Sequence, residues 1–425
     1  MQDIDKYLDK FQEESFDIRV THDARYVDQK CTPDVVCFIA DSILSTSCAN
    51  KSFTVNDLWD ERFFSDNCRV IFGKPSPEVP SARNEYNKVL SQPLKLLAYS
   101  HVLGVERHKR ELVFHVQEQD MLEFISMRER NAYNFMFAFF MRVARNSGIM
   151  RYFLEYSENC GVDAKGARTE IYEKYHRFIA ANTPSQSKTD VDRIFHKMFN
   201  LYAFHEMLPG STGRVLSFSD LMYNKVNMRD KKNKQKNLTR AQALKIETEQ
   251  LNQEFYIGYQ VNKAIRKVRE KQGKMSEVHD ELSMGIATEV HHIFPKSEFP
   301  ELATYFENLI LLTSSQHRQK AHPNSNFHIV DREYQLVCLM AKSQTVENYI
   351  KEHGETFYTK KSFVYVVNTG IKNDRLDENS SFLDIRKWIF EVYNGRQLPQ
   401  EDMSYAMVAE NVHHYGGKRF IHQAK

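Results

Sequence analysis

Paired cysteines, a long apolar run and a net charge of either sign are all missing from this chain. Its six cysteines, Cys31, Cys37, Cys48, Cys68, Cys160 and Cys338, include no C-x-x-C pair. Neither a thiolate zinc site nor a disulfide framework is signalled, and reduced thiols in a cytoplasmic protein are the simplest expectation. The most apolar stretch, Phe135 to Met141, is closed off by Asn134 and Arg142. It is far shorter than the ~18 apolar residues a membrane helix needs, so no membrane partner is expected. The opening residues, Met1 to Asp5, hold neither a basic segment nor an apolar core, which excludes the pattern of a secretory signal. No repeat at a fixed period is present. With 58 basic against 56 acidic residues the net charge is only +2, so a nucleic-acid partner would have to be met by local patches.

What is there is an ordinary globular composition over 425 residues, more than the ~100 to 200 of one domain. Two or three compact units are expected. Thr32 and Pro33 have the types that cap and open a helix, and the apolar residues at 35, 36, 39, 40, 43 and 44 continue it at helical spacing for about three turns. Phe53, Val55 and Leu58, with Asn56 or Asp57 as cap, predict a short strand running into a second helix. Residues 81–99 predict a third, which Pro93 would bend or split. Val102 to Val116 then alternates around the polar cluster Arg107, His108, Lys109 and Arg110, the pattern of a hairpin with a basic tip.

Helix, strand, helix, helix, hairpin is the order of a winged helix, in which the third helix reads the major groove and the hairpin reaches phosphates or the minor groove. Arg83, Asn84, Asn87 and Lys88 on the polar face of the third helix, and Arg107, Lys109 and Arg110 on the hairpin, are the candidate DNA contacts. Residues 119–147 predict one long, Phe- and Met-rich core helix, and 165–223 further helices broken by a Gly/Ser turn at 209–214. From 225 to 245 the composition turns basic, and Lys231, Lys232 and Lys234 are candidates to neutralise phosphates. A second basic set runs from Lys263 to Lys274.

Downstream lies EVHHIFPKSEFPELATYFENLILLTSSQHRQKAHP, residues 289–323. Five of 17 histidines, His291, His292, His317, His322 and His328, fall in residues 291–328, well above an even spread. Adjacent side chains on a strand point to opposite faces, so one of His291 and His292 can hold a metal while the other faces a substrate. Val290 to Phe294 predicts a strand, Pro295 to Pro300 a turn, Asn308 to Leu312 a second strand, and Ser315 to Ala321 a short helix.

This stretch resembles the HNH, or ββα-metal, nuclease motif, written D/H-H-x-x-P, then N-L-x-x-L, then H. The matching positions are His291, His292 and Pro295, then Asn308, Leu309 and Leu312, then His317. A second pair, His413 and His414, has no such partners downstream and reads as structural or surface. The resemblance implies that His292 is the general base, that His291 and His317 hold one divalent cation, with Mg²⁺ first and Mn²⁺ or another transition metal as alternatives, and that Asn308 aims His292. His322 is a further candidate for the metal or a phosphate, although five residues after His317 is out of step with an α-helical turn. Lys296, Arg318 and Lys320 are candidate phosphate contacts. Two departures stand out. The cysteine pairs that pin many HNH domains with zinc are absent, Thr313 and Gln316 standing in such places, and the first ligand is His rather than the commoner Asp.

Residues 23–35, DARYVDQKCTPDV, are also similar to N-terminal regions of HNH-type restriction endonucleases, especially type IIS. The expected fold is mostly α with α+β modules: a winged-helix-like DNA reader (1–118), a helical region (119–224), a basic connector (225–274), and an HNH nuclease domain with a C-terminal extension (275–425). Within that extension 363–367 predicts a strand and 382–393 a helix. The expected activity is sequence-specific hydrolysis of double-stranded DNA by a type II (IIS) restriction endonuclease, with a transient homodimer for cutting both strands. The alternatives are a nonspecific or structure-specific defence nuclease, and a DNA-binding regulator with a vestigial nuclease module.

Overall fold

The computed structural model describes residues 4–72, 83–109, 111–223, 240–322 and 330–394. Arg110, Lys231, Lys232, Lys234, His328 and the pair His413–His414 lie outside them. The described chain is mostly helical with two small antiparallel sheets. It divides into two compact units, Gln2–Ile257 and Gly258–Lys425.

In the first unit the helix Pro33–Leu44 forms as its spacing predicts, with Pro33 in the first turn. It does not present one face to a core, however. Every residue from Pro33 to Ile43 is buried, Asp34, Asp41 and Ser42 included, because helices Arg83–Tyr99, Gln119–Met127 and Glu129–Asn146 pack around it. A helix enclosed on all sides must satisfy its polar groups internally, and Ser42 does so by donating to the Phe38 carbonyl at 2.8 Å.

Helix Val55–Asp60 is capped by Thr54 rather than by Asn56 or Asp57. The Thr54 Oγ1 accepts from the Asp57 amide while the Asp57 carboxylate accepts from the Thr54 amide, so Asp57 serves as the reciprocal partner at the third position. Helix Arg83–Tyr99 runs through Pro93 unbroken, its Val89, Leu90, Leu94 and Leu97 buried. Strands β1 (Leu103–His108) and β2 (Glu111–Val116) form the expected hairpin, and Phe53 adds a single antiparallel bridge to Phe114.

The single helix expected over 119–147 is two, Gln119–Met127 and Glu129–Asn146. Arg128 between them is extended (φ −145°, ψ 148°), and the Asn131 side chain donates to the Phe124 carbonyl at 3.0 Å, satisfying a group left open by the break. Helices Ala164–Asn182 and Lys188–His205 follow, and the turn at 209–214 closes with a Pro209–Val215 bridge in which Gly213 takes a positive φ of 78°.

In the second unit β3 (Ala287–His292) and β4 (Leu309–Thr313) pair antiparallel, with His291 opposite Ile310 and His292 opposite Leu309. The strand expected at 363–367 is instead part of helix Lys360–Ile371. Thr359 caps it by accepting from the Ser362 amide, and Phe363, Val364, Val366 and Val367 are buried. The β-branched run F-V-Y-V-V favours a strand locally, but the cap and the interior those residues fill override the propensity. Helix Arg332–His353, which no sequence signal marked, is the long helix of this unit, and Phe382–Asn394 packs on it. The second basic set is only partly a charged face. Lys263 and Lys267 are buried and Arg266 pairs with Glu270 at 3.6 Å, because one side of helix Arg240–Gln272 is interior. Among the described residues no helix is long and apolar enough to cross a membrane.

Candidate metal centre

Strand alternation sends the two adjacent histidines of β3 apart. His291, 3% exposed, turns toward His317 and His322, with ring centroids 5.3 and 4.9 Å away, and the latter two rings are 4.9 Å from each other. One ring nitrogen from each of the three lies within 4.8 Å of the others. They are the group among the described residues whose donor atoms could hold one ion. His292 takes the other direction, its Nε2 lying 3.0 Å from the carbonyl of Ala303. A carbonyl only accepts, so Nε2 carries the proton in the neutral ring and Nδ1 keeps a lone pair.

His322 joins the cluster because the expected short α-helix is only Ser314–Gln316, and His317–Ala321 continues as a π-helical turn closed by the His322 amide on the His317 carbonyl at 3.1 Å. Widening the turn brings residues five apart toward one side, so the mismatch of phase disappears. Such turns recur where a side chain must be aimed.

Asn308 is fully buried immediately before β4 and stitches the loop after β3. Its Oδ1 accepts from the Phe294 amide (2.8 Å), its Nδ2 donates to the carbonyls of Phe294 (3.0 Å) and Leu302 (3.3 Å), and its own carbonyl accepts from Ile293 (2.9 Å). Both ends of that loop are thereby fixed, including the segment whose Ala303 carbonyl orients His292.

Gln316 is a second buried hub. Its Oε1 accepts from Ser276 Oγ (2.6 Å) and the Thr313 amide (2.9 Å), and its Nε2 donates to the Val278 carbonyl and to Asp280, both at 2.8 Å. A buried ion pair of Lys342 with Glu277 (3.0 Å) ties the same segment to helix Arg332–His353.

Burial first, then the neighbouring His322, His317 and His292, holds His291 well below the ordinary histidine range. Burial also lowers His317, opposed by the carboxylate of Glu289. His292 is lowered by burial as well, with the Ala303 contact opposing and Lys296 adding to the effect. The folded state therefore keeps these rings neutral, as ligands and bases must be.

In the unfolded chain the same rings protonate near 6.5. Below that pH the unfolded state binds more protons, so the ion-free protein should lose stability as pH falls through 6.5, by up to about 1.4 kcal/mol per pH unit for each proton taken up. Melting curves in chelator from about pH 7.5 to about pH 5.5 test the sign. A flat or rising melting temperature on acidification would contradict neutral, desolvated rings.

The remaining candidates are more scattered. Lys296 and Arg318 are exposed beside the cluster, whereas Lys320 is paired with Glu281 at 2.7 Å. Asn84, Asn87 and Lys88 are exposed on helix Arg83–Tyr99, whose first residue, Arg83, has a side chain outside the described set. Arg107 and Lys109 are exposed at the hairpin tip, Lys109 with a positive φ of 56°. The part played by two residues was not read from the sequence. Glu289 sits two residues before His291, hence on the same strand face, a spacing that could have flagged it. Gln316 forms with Thr313 a T-x-x-Q capping box, legible as a helix start but not as a hub. Comparison with known proteins yields no matching family model, no matching curated protein and no matching solved structure.

Proposed function

We propose that this chain is a metal-dependent endonuclease of the HNH type that hydrolyses DNA phosphodiester bonds, and that it belongs to the type II (IIS) restriction class. The observation that carries the reading is the convergence of His291, His317 and His322 on the opposite strand face from His292, whose ring is held by a backbone carbonyl. An imidazole with Nε2 tied to the Ala303 carbonyl and Nδ1 open can take the proton from a water attacking phosphorus. Lys296 and Arg318 are cations available to a phosphate entering there. A divalent ion, when bound, supplies Lewis-acid stabilisation to the scissile phosphate and to the departing oxygen.

The three donors are imidazoles, with no carboxylate in the group. Mg²⁺ prefers oxygen ligands and near-ideal octahedral geometry, while imidazoles suit Zn²⁺ or Ni²⁺. The third imidazole therefore moves the preference from Mg²⁺ toward a transition metal.

In this reading the N-terminal unit recognises the duplex. The bridge from Phe53 to β2, the helix Arg83–Tyr99 and the hairpin follow the order of a winged helix, with Asn84, Asn87, Lys88, Arg107 and Lys109 toward solvent. One such site cuts one strand, so a double-strand break calls for a transient homodimer or two successive nicks. The test is to incubate the protein with plasmid DNA and Mg²⁺, Mn²⁺, Ni²⁺ or Zn²⁺ in turn and map the ends by sequencing. Ends at a fixed offset from one short sequence support the restriction reading, and scattered ends point to a nonspecific defence nuclease. Specific binding without cleavage by any of the ions would instead identify a regulator. Replacing Lys231, Lys232 and Lys234 together by alanine should reduce the slope of log affinity against log salt by roughly 2 to 3. An unchanged slope would return that run to a solubilising role.

A further inference from the structure

We infer that Gln335, aimed by Tyr393, is a positioning residue for His292 and acts through the backbone of Ile293. This rests on the nuclease reading above and adds to it a requirement from the C-terminal helices.

Ile293 directly follows the proposed base. Its amide is taken by the Asn308 carbonyl, and its own carbonyl accepts from Gln335 Nε2 at 2.7 Å. Because a carbonyl can only accept, the Gln335 amide has one usable orientation, nitrogen toward Ile293 and oxygen away. The oxygen is met by the Tyr393 hydroxyl at 2.7 Å, which fixes that orientation. Burial raises the Tyr393 pKa, so the phenol stays protonated and remains a donor, and the Arg332 guanidinium lies 5.3 Å from its ring centroid. Hydroxyl, amide and carbonyl thus form one directed chain from helix Phe382–Asn394 through helix Arg332–His353 to the residue beside His292.

Two neighbouring contacts of helix Arg332–His353 show why this one differs. Tyr334 donates to Asp280 at 3.0 Å and Lys342 to Glu277 at 3.0 Å, both on the segment that Gln316 already braces. Those bonds hold the frame. The Gln335 bond instead reaches the strand exit that carries His292, on the side away from Asn308. Asn308 takes the Ile293 amide on its backbone carbonyl and the Phe294 amide on its Oδ1, so without a further partner the Ile293–Phe294 peptide would be held by its N–H alone and free to tilt about it. Gln335 holds the carbonyl end, so the Ile293–Phe294 peptide is defined at two points, and with the Ile293 amide also bound by Asn308 both peptide planes that follow His292 are fixed.

The test compares Gln335→Met, which keeps length and bulk but donates nothing, with Tyr393→Phe and the double variant, in single-turnover cleavage of plasmid DNA with Mn²⁺. Gln335→Met should lower the rate at saturating DNA by about 10- to 100-fold, the range for partners that orient an active-site group. The DNA concentration giving half-maximal rate, and the Mn²⁺ affinity measured by calorimetry on the full chain, should stay within about 3-fold, since neither group touches ligand or substrate. Tyr393→Phe should cost less, because the amide still donates but is no longer aimed, and the double variant should match Gln335→Met because both act along one chain. A Gln335→Met rate within 2-fold of the parent overturns the positioning role. So does a rate loss matched by equal losses of DNA and Mn²⁺ affinity, which would mark a merely structural bond. If the parent protein cuts nothing with any ion, the nuclease reading falls and this role falls with it; cleavage by the parent with indifference at Gln335 removes this role alone.

Discussion

A His292→Ala variant is expected to lose about 10²- to 10⁴-fold in the rate of metal-dependent cleavage, the usual contribution of a positioned proton acceptor. DNA affinity and ion affinity should remain within a few-fold. The separation follows from the geometry: His292 leaves β3 on the face away from His291, His317 and His322, and its Nε2 contact is to the Ala303 carbonyl rather than to any of those rings. The measurement pairs single-turnover cleavage with DNA binding in the presence of the most active ion and with ion titration by calorimetry. An equal loss of binding and rate would mean that His292 is part of the fold or of the DNA contact. A rate unchanged within 2-fold would remove it from the chemistry altogether.

Asn308→Ala should produce the largest loss of stability of any single change near the site. Truncation leaves the Phe294 amide and the Phe294 and Leu302 carbonyls without their side-chain partner at a fully buried position. Buried groups left unpaired cost about 1 to 3 kcal/mol each, offset where water enters the space, so a net loss of about 2 to 5 kcal/mol is expected. Because the loop it stitches also carries the Ala303 carbonyl, the cleavage rate should fall at temperatures where the variant is still folded, with ion affinity less affected. Denaturant unfolding at fixed pH and ion concentration gives the first quantity, and single-turnover rates give the second. A change below about 1 kcal/mol would show that the loop is held by packing instead.

Much of this centre was legible because its parts obey short-range rules. Alternation along a strand predicts that His291 and His292 part company, and the Pro295 to Pro300 segment and Asn308 mark where the chain turns back into β4. The hairpin around Arg107 and the helix opening at Pro33 are equally local. What escaped depends on what surrounds a segment. Residues 363–367 carry strand-forming side chains yet lie in a helix, because Thr359 caps it and an interior accepts Phe363, Val366 and Val367. The helix Arg332–His353 contains Leu336 to Ala341, a continuous buried run with no period to betray its form. His322 looked misplaced because its position was judged against an α-helical turn, and only the backbone reveals the wider one. Gln316 and Gln335 are uncharged amides, and nothing in a sequence distinguishes an amide that organises a site from one that faces water.

The buried amide of Gln316 has a practical corollary. Where a thiolate-bound zinc would make folding depend on metal, here three hydrogen bonds brace residues 276–280 against the start of the short helix. If the chain cleaves DNA as proposed, chelation should then silence cleavage without dismantling the fold, and readdition should restore it in minutes. Oxidants that attack zinc thiolates would find no such target at this brace. On that reading, ion supply alone would set the activity while the fold stayed intact.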